Sequence, residues 1–128
     1  MDVVARFRQS PNAFRLAAGK VLFREGESAE VMYVLLDGTV EIIVGDTPVE
    51  LAQAGTVLGE MAVIDRSPRS ATAIAKTPCR LVSMTATQFD VLVHETPEFA
   101  RLVMQVLSGR LRRMNQRLLE AFTELSVR

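Results

Sequence analysis

The chain has 128 residues, 48% of them apolar, a formal net charge of zero and one cysteine, Cys79. That length suits one domain with a real core, and the apolar fraction excludes disorder. Charge balance removes any global pull toward nucleic acid or membrane, and a lone cysteine excludes an internal disulfide and fits a reducing compartment.

The N-terminus, "MDVVARFRQSPNAFRL", has no basic start followed by an apolar run of signal-peptide length. No apolar run is long enough to span a bilayer, so a cytoplasmic protein with no membrane partner is expected. Residues 20–84 read as strands. "KVLFREGE" is a short apolar run closed by a turn signal. In "VMYVLLDGTVEIIVGDTPVELA" two runs rich in Val, Ile and Leu are separated by Asp37-Gly38, which predicts a hairpin. Gly45-Asp46-Thr47-Pro48 predicts a second turn before "VELA", and Gly55 marks another. "SATAIAK" and "CRLVSM" follow, with Thr77-Pro78 between them. Many short strands at close turn spacing predict a mainly β fold of the sandwich or barrel kind, which includes jelly rolls.

After Met84 the period becomes helical. Thr residues cap a short helix with Phe89, Leu92 and Val93 on one face. Pro97 opens a second, with Thr96 as its cap and Glu98 in its first turn. Val103, Leu107, Leu111, Met114, Leu118, Phe122 and Leu125 then recur at spacings of three and four. A helix of about 28 residues is ~40 Å long, more than a small barrel can cover, so the stripe is expected to pair with a second copy of the chain. The alternative is a helix lying along its own barrel with a frayed end.

"GEMAVIDRSPRSATAIA", Gly59 to Ala75, carries the chemistry. It follows the strand-like "TVLG", and "EMAVID" is long enough for one helical turn, whose first N–H groups favour an anion. Arg69 offers a planar fork suited to phosphate oxygens, Ser70 a hydroxyl and Pro68 a stiff approach. Glu60 would repel phosphate but accepts well from a sugar hydroxyl. The set suits a ribose joined to a phosphate; a Glu60–Arg69 salt bridge holding a loop is the structural alternative.

These residues resemble the cyclic nucleotide-binding domain shared by catabolite-activator-like regulators, protein kinase A regulatory subunits and cyclic-nucleotide-gated channels. "GKVLFREGESAEVMYVLLDGTVEI" is similar to the family's opening strands, with glycines at Gly19, Gly26 and Gly38. "GEMAVIDRSPRSATAIA" resembles its phosphate-binding cassette, and "PEFARLVMQVLSGRLRRMN" its final helix. The resemblance implies a β jelly roll of roughly eight strands with a short cassette helix and C-terminal helices. It implies one domain over 1–128, the barrel at about 14–84 and the helices at about 86–125. It implies that Glu60 accepts from the ribose 2′-hydroxyl and Arg69 pairs with the cyclic phosphate. Ser70, with backbone N–H groups around Gly59, Met61 and Ala62, completes the cradle. Val49 lines the base pocket, and Arg110, on the final helix, lies over the base.

The expected function is regulatory binding of a cyclic purine mononucleotide, cAMP favoured over cGMP, signalled through movement of the C-terminal helices. The alternative is an interaction and dimerisation module with a vestigial pocket. No catalysis, metal or cofactor beyond the ligand is expected: no nucleophile–base pair is visible, His94 is the only histidine, and Cys79 reads as a buried structural thiol. Leu58 stands where the family usually has Phe, and the lead-in before the first strand is short. A start at Met1 favours a stand-alone sensor over an excised domain. Without a recognition helix, Arg110, Arg112, Arg113 and Arg117 read as a solvated helix flank and not a nucleic-acid contact.

Overall fold

The chain folds, in a computed structural model that describes residues 2–126, into two antiparallel sheets with helices against one of them. The elements are α1 (Val3–Phe7), β1 (Ala13–Leu16), β2 (Val21–Phe23), β3 (Val31–Asp37), β4 (Val40–Val44), β5 (Thr47–Ala52) and β6 (Val57–Leu58). Then come α2 (Met61–Ile64), β7 (Thr72–Ala75), β8 (Cys79–Thr85), α3 (Ala86–Glu95) and α4 (Pro97–Ser126). One sheet runs β1-β8-β3-β6 and the other β2-β7-β4-β5, the strand order of a jelly roll, so the expected architecture holds.

β3 explains why its sequence is apolar almost throughout. Leu35 faces the other sheet and packs in a cluster with Phe23, Val40, Leu58, Ala73 and Leu81. Met32, Val34 and Leu36 point the other way, into a cluster with Val82, Met84, Leu92, Phe99 and Val103. A strand covered on both faces loses the alternation of a half-buried one. Val63 of α2 belongs to this second cluster, so the short helix of the glycine–glutamate segment is packed on the same apolar mass as α3 and α4.

The Asp37-Gly38 hairpin is corrected by the topology. β3 pairs with β8 and β6, whereas β4 pairs with β5 and β7. Asp37-Gly38 is thus a corner where the chain leaves one sheet for the other. Both structures draw on the same residue: Gly38 has φ 89°, and a Cβ there would sit 2.3 Å from the Pro78 carbonyl oxygen. The dipeptide signals a reversal, not which strand accepts the next one. The second turn does form a hairpin, with Val44 opposite Thr47; Thr47 and Pro48 lie in the strand beyond it.

The helices follow their signals. Thr85 caps α3 in a reciprocal box: its hydroxyl accepts from the Gln88 N–H at 3.2 Å, and its own N–H donates to Gln88 Oε1 at 2.8 Å. The Thr96 N–H donates to the Leu92 carbonyl at 2.7 Å, and Pro97 opens α4. α4 has 30 residues and is therefore ~45 Å long. Phe99 and Val103 are buried, Leu102, Val106 and Leu107 pack against the core, and from Leu111 to Ser126 every residue is exposed. A helix that local spacing does not announce, α1, forms before β1, capped by the Asp2 carboxylate, and its Phe7 meets Phe99 edge-on at 6.0 Å.

Candidate functional site

β6 delivers the chain to Gly59, whose φ of 68° turns it into α2. The positive φ favours glycine, and a Cβ at Gly59 would lie 2.3 Å from Arg69 Nη1, so a side chain there would push the guanidinium from its place across the turn. Glu60 precedes α2, and the segment then returns through Pro68 to Arg69 and β7. The loop encloses a cavity of about 420 Å3. Gly59, Glu60, Met61, Ala62, Arg69, Ser70 and Arg110, all drawn from the expected site, border it. Phe23, Ile42, Leu107, Leu111 and Met114 make much of the rest of its wall apolar.

Among the described residues the buried charged side chains are Glu60 and Arg69, 4% and 8% exposed. They do not pair with each other. Arg69 Nη1 donates to the Gly59 carbonyl at 3.3 Å, and its guanidinium lies over the Phe23 ring, 4.3 Å from the centroid, with Tyr33 at 5.6 Å. Its backbone is fixed by bonds to Glu27 O and from Gly26 N–H, at 2.9 and 2.8 Å. Among the described residues no carboxylate forms an ion pair with Arg69. Burial pushes its pKa down, against weaker pulls upward from Tyr33, Glu27 and Glu60. A cation in that position is stabilised by any anion entering the cavity.

Glu60 is bonded from the other wall. Arg110, reaching in from α4, donates through Nη1 to Glu60 Oε1 at 2.9 Å. Its Nε and Nη2 grip Glu50 of β5 at 2.8 and 3.1 Å, and Nη2 also donates to the Val57 carbonyl at 2.9 Å. Arg113 adds a longer pair to Glu50 at 3.5 Å. Burial pulls the Arg110 pKa down, and the bonds and charges of Glu50 and Glu60 turn the net shift upward. For Glu50 burial pushes up, but Arg110 and then Arg113 hold the carboxyl below its usual value. The salt-bridge alternative therefore took the wrong arginine: Glu60 does form an ion pair, with the helix and not with its own loop.

Two other expected residues stand differently. Val49 does not border this cavity; it lines an adjoining recess that shares Arg110, Met61, Ser70 and Met114 with it. The Ala62 N–H already donates to the Gly59 carbonyl at 3.2 Å, which leaves the N–H groups at the front of α2 as its free donors. Glu50 and Phe23 were missed. Glu50 looked like any acid on an edge strand, and Phe23 like any core aromatic; the one signal was that Glu50 sits amid apolar residues in "PVELA". His94 is exposed and Cys79 buried, its thiol donating to carbonyls of Thr77 and Thr39 at 3.1 and 3.3 Å. Among the described residues no group of His, Cys, Asp and Glu is placed to hold a metal, and no helix is long and apolar enough to cross a membrane.

The chain is 42% identical over 93 residues to a cyclic nucleotide-gated potassium channel of Rhizobium etli, covering 73% of this chain and 26% of the channel. It is 29% identical to the CRP-like cAMP-activated global transcriptional regulator of Mycobacterium tuberculosis, over 84% of this chain and 50% of the regulator. It thus spans between a quarter and a half of these relatives. The fold is similar to that of the c-di-GMP-responsive global regulator CLP of Xanthomonas campestris, with a TM-score of 0.78 at 22% identity, over 88% of this chain and 60% of that one. The model of the cyclic nucleotide-binding domain matches residues 13–96, from β1 through the cavity-forming segment to the end of α3, and the chain belongs to that family of regulatory, ligand-binding domains.

Proposed function

We propose that the chain is one regulatory unit that binds cAMP in preference to cGMP and reports occupancy through its C-terminal helices. The observation that carries this reading is Arg69: a buried cation on the wall of a nucleotide-sized cavity, stacked on Phe23 and without an acid partner among the described residues. A cyclic phosphate supplies the missing charge through a bidentate, charge-assisted contact. Ser70 and the N–H groups from Gly59 to Met61 close on the phosphate, and Glu60 accepts from the ribose 2′-hydroxyl. The base lies toward Ile42, Leu107, Leu111 and Met114. Arg110 is the polar group at that end, and Glu50, Glu60 and the Val57 carbonyl already engage its Nε and both its Nη nitrogens. Guanine brings an extra polar edge that would be buried there without partners, which favours adenine. Val49, in the adjoining recess, is reached only by the outer edge of the base. A single buried thiol suits a cytoplasmic setting.

Response follows from packing. Val63 of α2 shares an apolar cluster with Leu92 of α3 and Phe99 of α4, so drawing the loop onto a phosphate displaces a neighbour of both helices. A ligand shifts such an equilibrium only by its differential affinity for the two arrangements; the contacts of Arg110 with Glu60 supply the difference. α4 also exposes Met104, Leu111, Leu118 and Leu125 at seven-residue intervals, the repeat of a coiled-coil seam. Leu111 and Met114 line the cavity as well. A homodimer through this stripe would therefore be linked to nucleotide occupancy, in the same degree both ways. The stripe equally favours a second reading, a dimerisation module whose pocket is vestigial. Titration with cAMP, cGMP, linear AMP and c-di-GMP decides between them: tightest binding of cAMP is expected, and equal binding of linear and cyclic forms, or none, overturns the reading.

A further inference from the structure

Glu60 carries one negative charge and two oxygens, and it faces two claims. Oε1 accepts from Arg110, while Oε2 takes no hydrogen bond among the described residues. A guanidinium next to a carboxylate ordinarily prefers the fork-to-fork arrangement, in which two N–H groups occupy both oxygens. Arg110 does not adopt it with Glu60. It adopts it with Glu50, giving Nε to Oε1 and Nη2 to Oε2, and Nη2 is shared further with the Val57 carbonyl. Only Nη1 is left for Glu60. Glu50 sits on β5, opposite Ile42 of β4, so its position comes from the sheet and does not depend on the loop around the cavity.

We propose that Glu50 sets the ribose selectivity of the cavity as a positioning residue: by holding Arg110 in a two-pronged grip it limits that arginine to one contact with Glu60 and keeps Glu60 Oε2 open to a 2′-hydroxyl. This rests on the reading of the cavity as a cyclic nucleotide site. Without Glu50, Arg110 turns its fork onto Glu60 and occupies the acceptor that distinguishes a ribose from a deoxyribose. The phosphate end, served by Arg69, is untouched. The effect of losing Glu50 is thus a change in preference between two ligands, which general loosening of the fold does not produce.

Affinities for cAMP and 2′-deoxy-cAMP, measured by calorimetry on the unchanged chain, Glu50→Gln, Glu50→Ala, Arg110→Ala and Glu50→Gln/Arg110→Ala, test this. The unchanged chain is expected to prefer the ribose ligand by roughly tenfold or more, the worth of a hydrogen bond to a charged acceptor. Both Glu50 variants are expected to bring that ratio close to one, chiefly by weakening cAMP binding. Arg110→Ala and the double variant, with nothing left to occupy Glu60, are expected to recover the preference. A ribose preference that survives in the Glu50 variants, or one that the double variant fails to recover, overturns the inference alone. Failure of the unchanged chain to bind either ligand overturns the reading of the site, and the inference with it.

Discussion

Two arginines enter the same cavity from different regions of the molecule. Arg69 arrives on the loop before β7 and lies on an aromatic ring with no ion-pair partner among the described residues; Arg110 arrives on α4 and is bonded to two carboxylates and a carbonyl. They are the same side chain in opposite electrostatic states. A cation whose charge is already met by acids has little to give an incoming anion, whereas one desolvated on a phenyl face is incomplete until an anion comes. The loop supplies binding charge, and the helix supplies a tie between cavity and α4.

Substitution separates the two roles. Arg69→Ala is expected to weaken cyclic nucleotide binding by roughly 2–4 kcal/mol, since the buried phosphate loses its charge partner, while the thermal midpoint of the free protein stays close to that of the unchanged chain. Arg110→Ala is expected to show the reverse emphasis. It leaves Glu50 and the buried Glu60 without their shared cation, and a stability loss of about 1–3 kcal/mol is expected, tempered by the partial exposure of Arg110. Calorimetric titration paired with denaturant unfolding reads both quantities. Equal losses of affinity in the two variants would erase the distinction.

Phe23 sharpens the comparison on the loop side. Phe23→Leu keeps the site apolar but removes the π face beneath Arg69, and a loss of about 1 kcal/mol in nucleotide affinity is expected. Because a smaller side chain also leaves a cavity, the affinity is to be compared with that of Leu81→Val, a truncation in the same apolar cluster at a residue that does not border the binding cavity. If both variants lose the same affinity, Phe23 acts only as packing.

Much of this was legible in the sequence, and the part that was not has a physical pattern. The single-turn α2, the capping of α3 and the length of α4 are all written in local spacing, whereas the number of strands came with the family resemblance, and Gly59, Glu60 and Arg69 lie within eleven residues of each other. The topology of β3 and β4 was misread because Asp37-Gly38 specifies a reversal and leaves open which strand receives the next. Glu50 was invisible for a related reason. Its meaning depends on Arg110, 60 residues away in sequence, and nothing in either neighbourhood states that β5 and α4 meet. Arg110 was placed at the cavity by its family position, but its partners were not. Pairings between distant elements are where single-sequence reading gives out.

The smallest effect tests the helix side through protons. In the folded chain Glu50 is pushed up by burial but held, by Arg110 and then Arg113, below the ordinary carboxylate value of 4.5. A carboxyl with a depressed pKa binds fewer protons folded than unfolded through the intervening window, so stability there rises with pH. The contribution is fully present well above pH 4.5 and is lost as pH falls through the lower folded value. Glu50→Gln cannot titrate at this position and so lacks that dependence. The stability difference between the unchanged chain and Glu50→Gln should therefore be constant near neutrality and move against the unchanged chain as the solution is acidified below about pH 4.5. Acids that do not touch Arg110 titrate alike in both proteins and cancel in the difference; Glu60, which Arg110 also holds, is taken out by repeating the comparison in a Glu60→Gln background. Urea unfolding across the acid range measures it. A difference independent of pH would mean that the Arg110 grip on Glu50 does not hold its proton off, and with it the tie between β5 and α4 would lose its electrostatic basis.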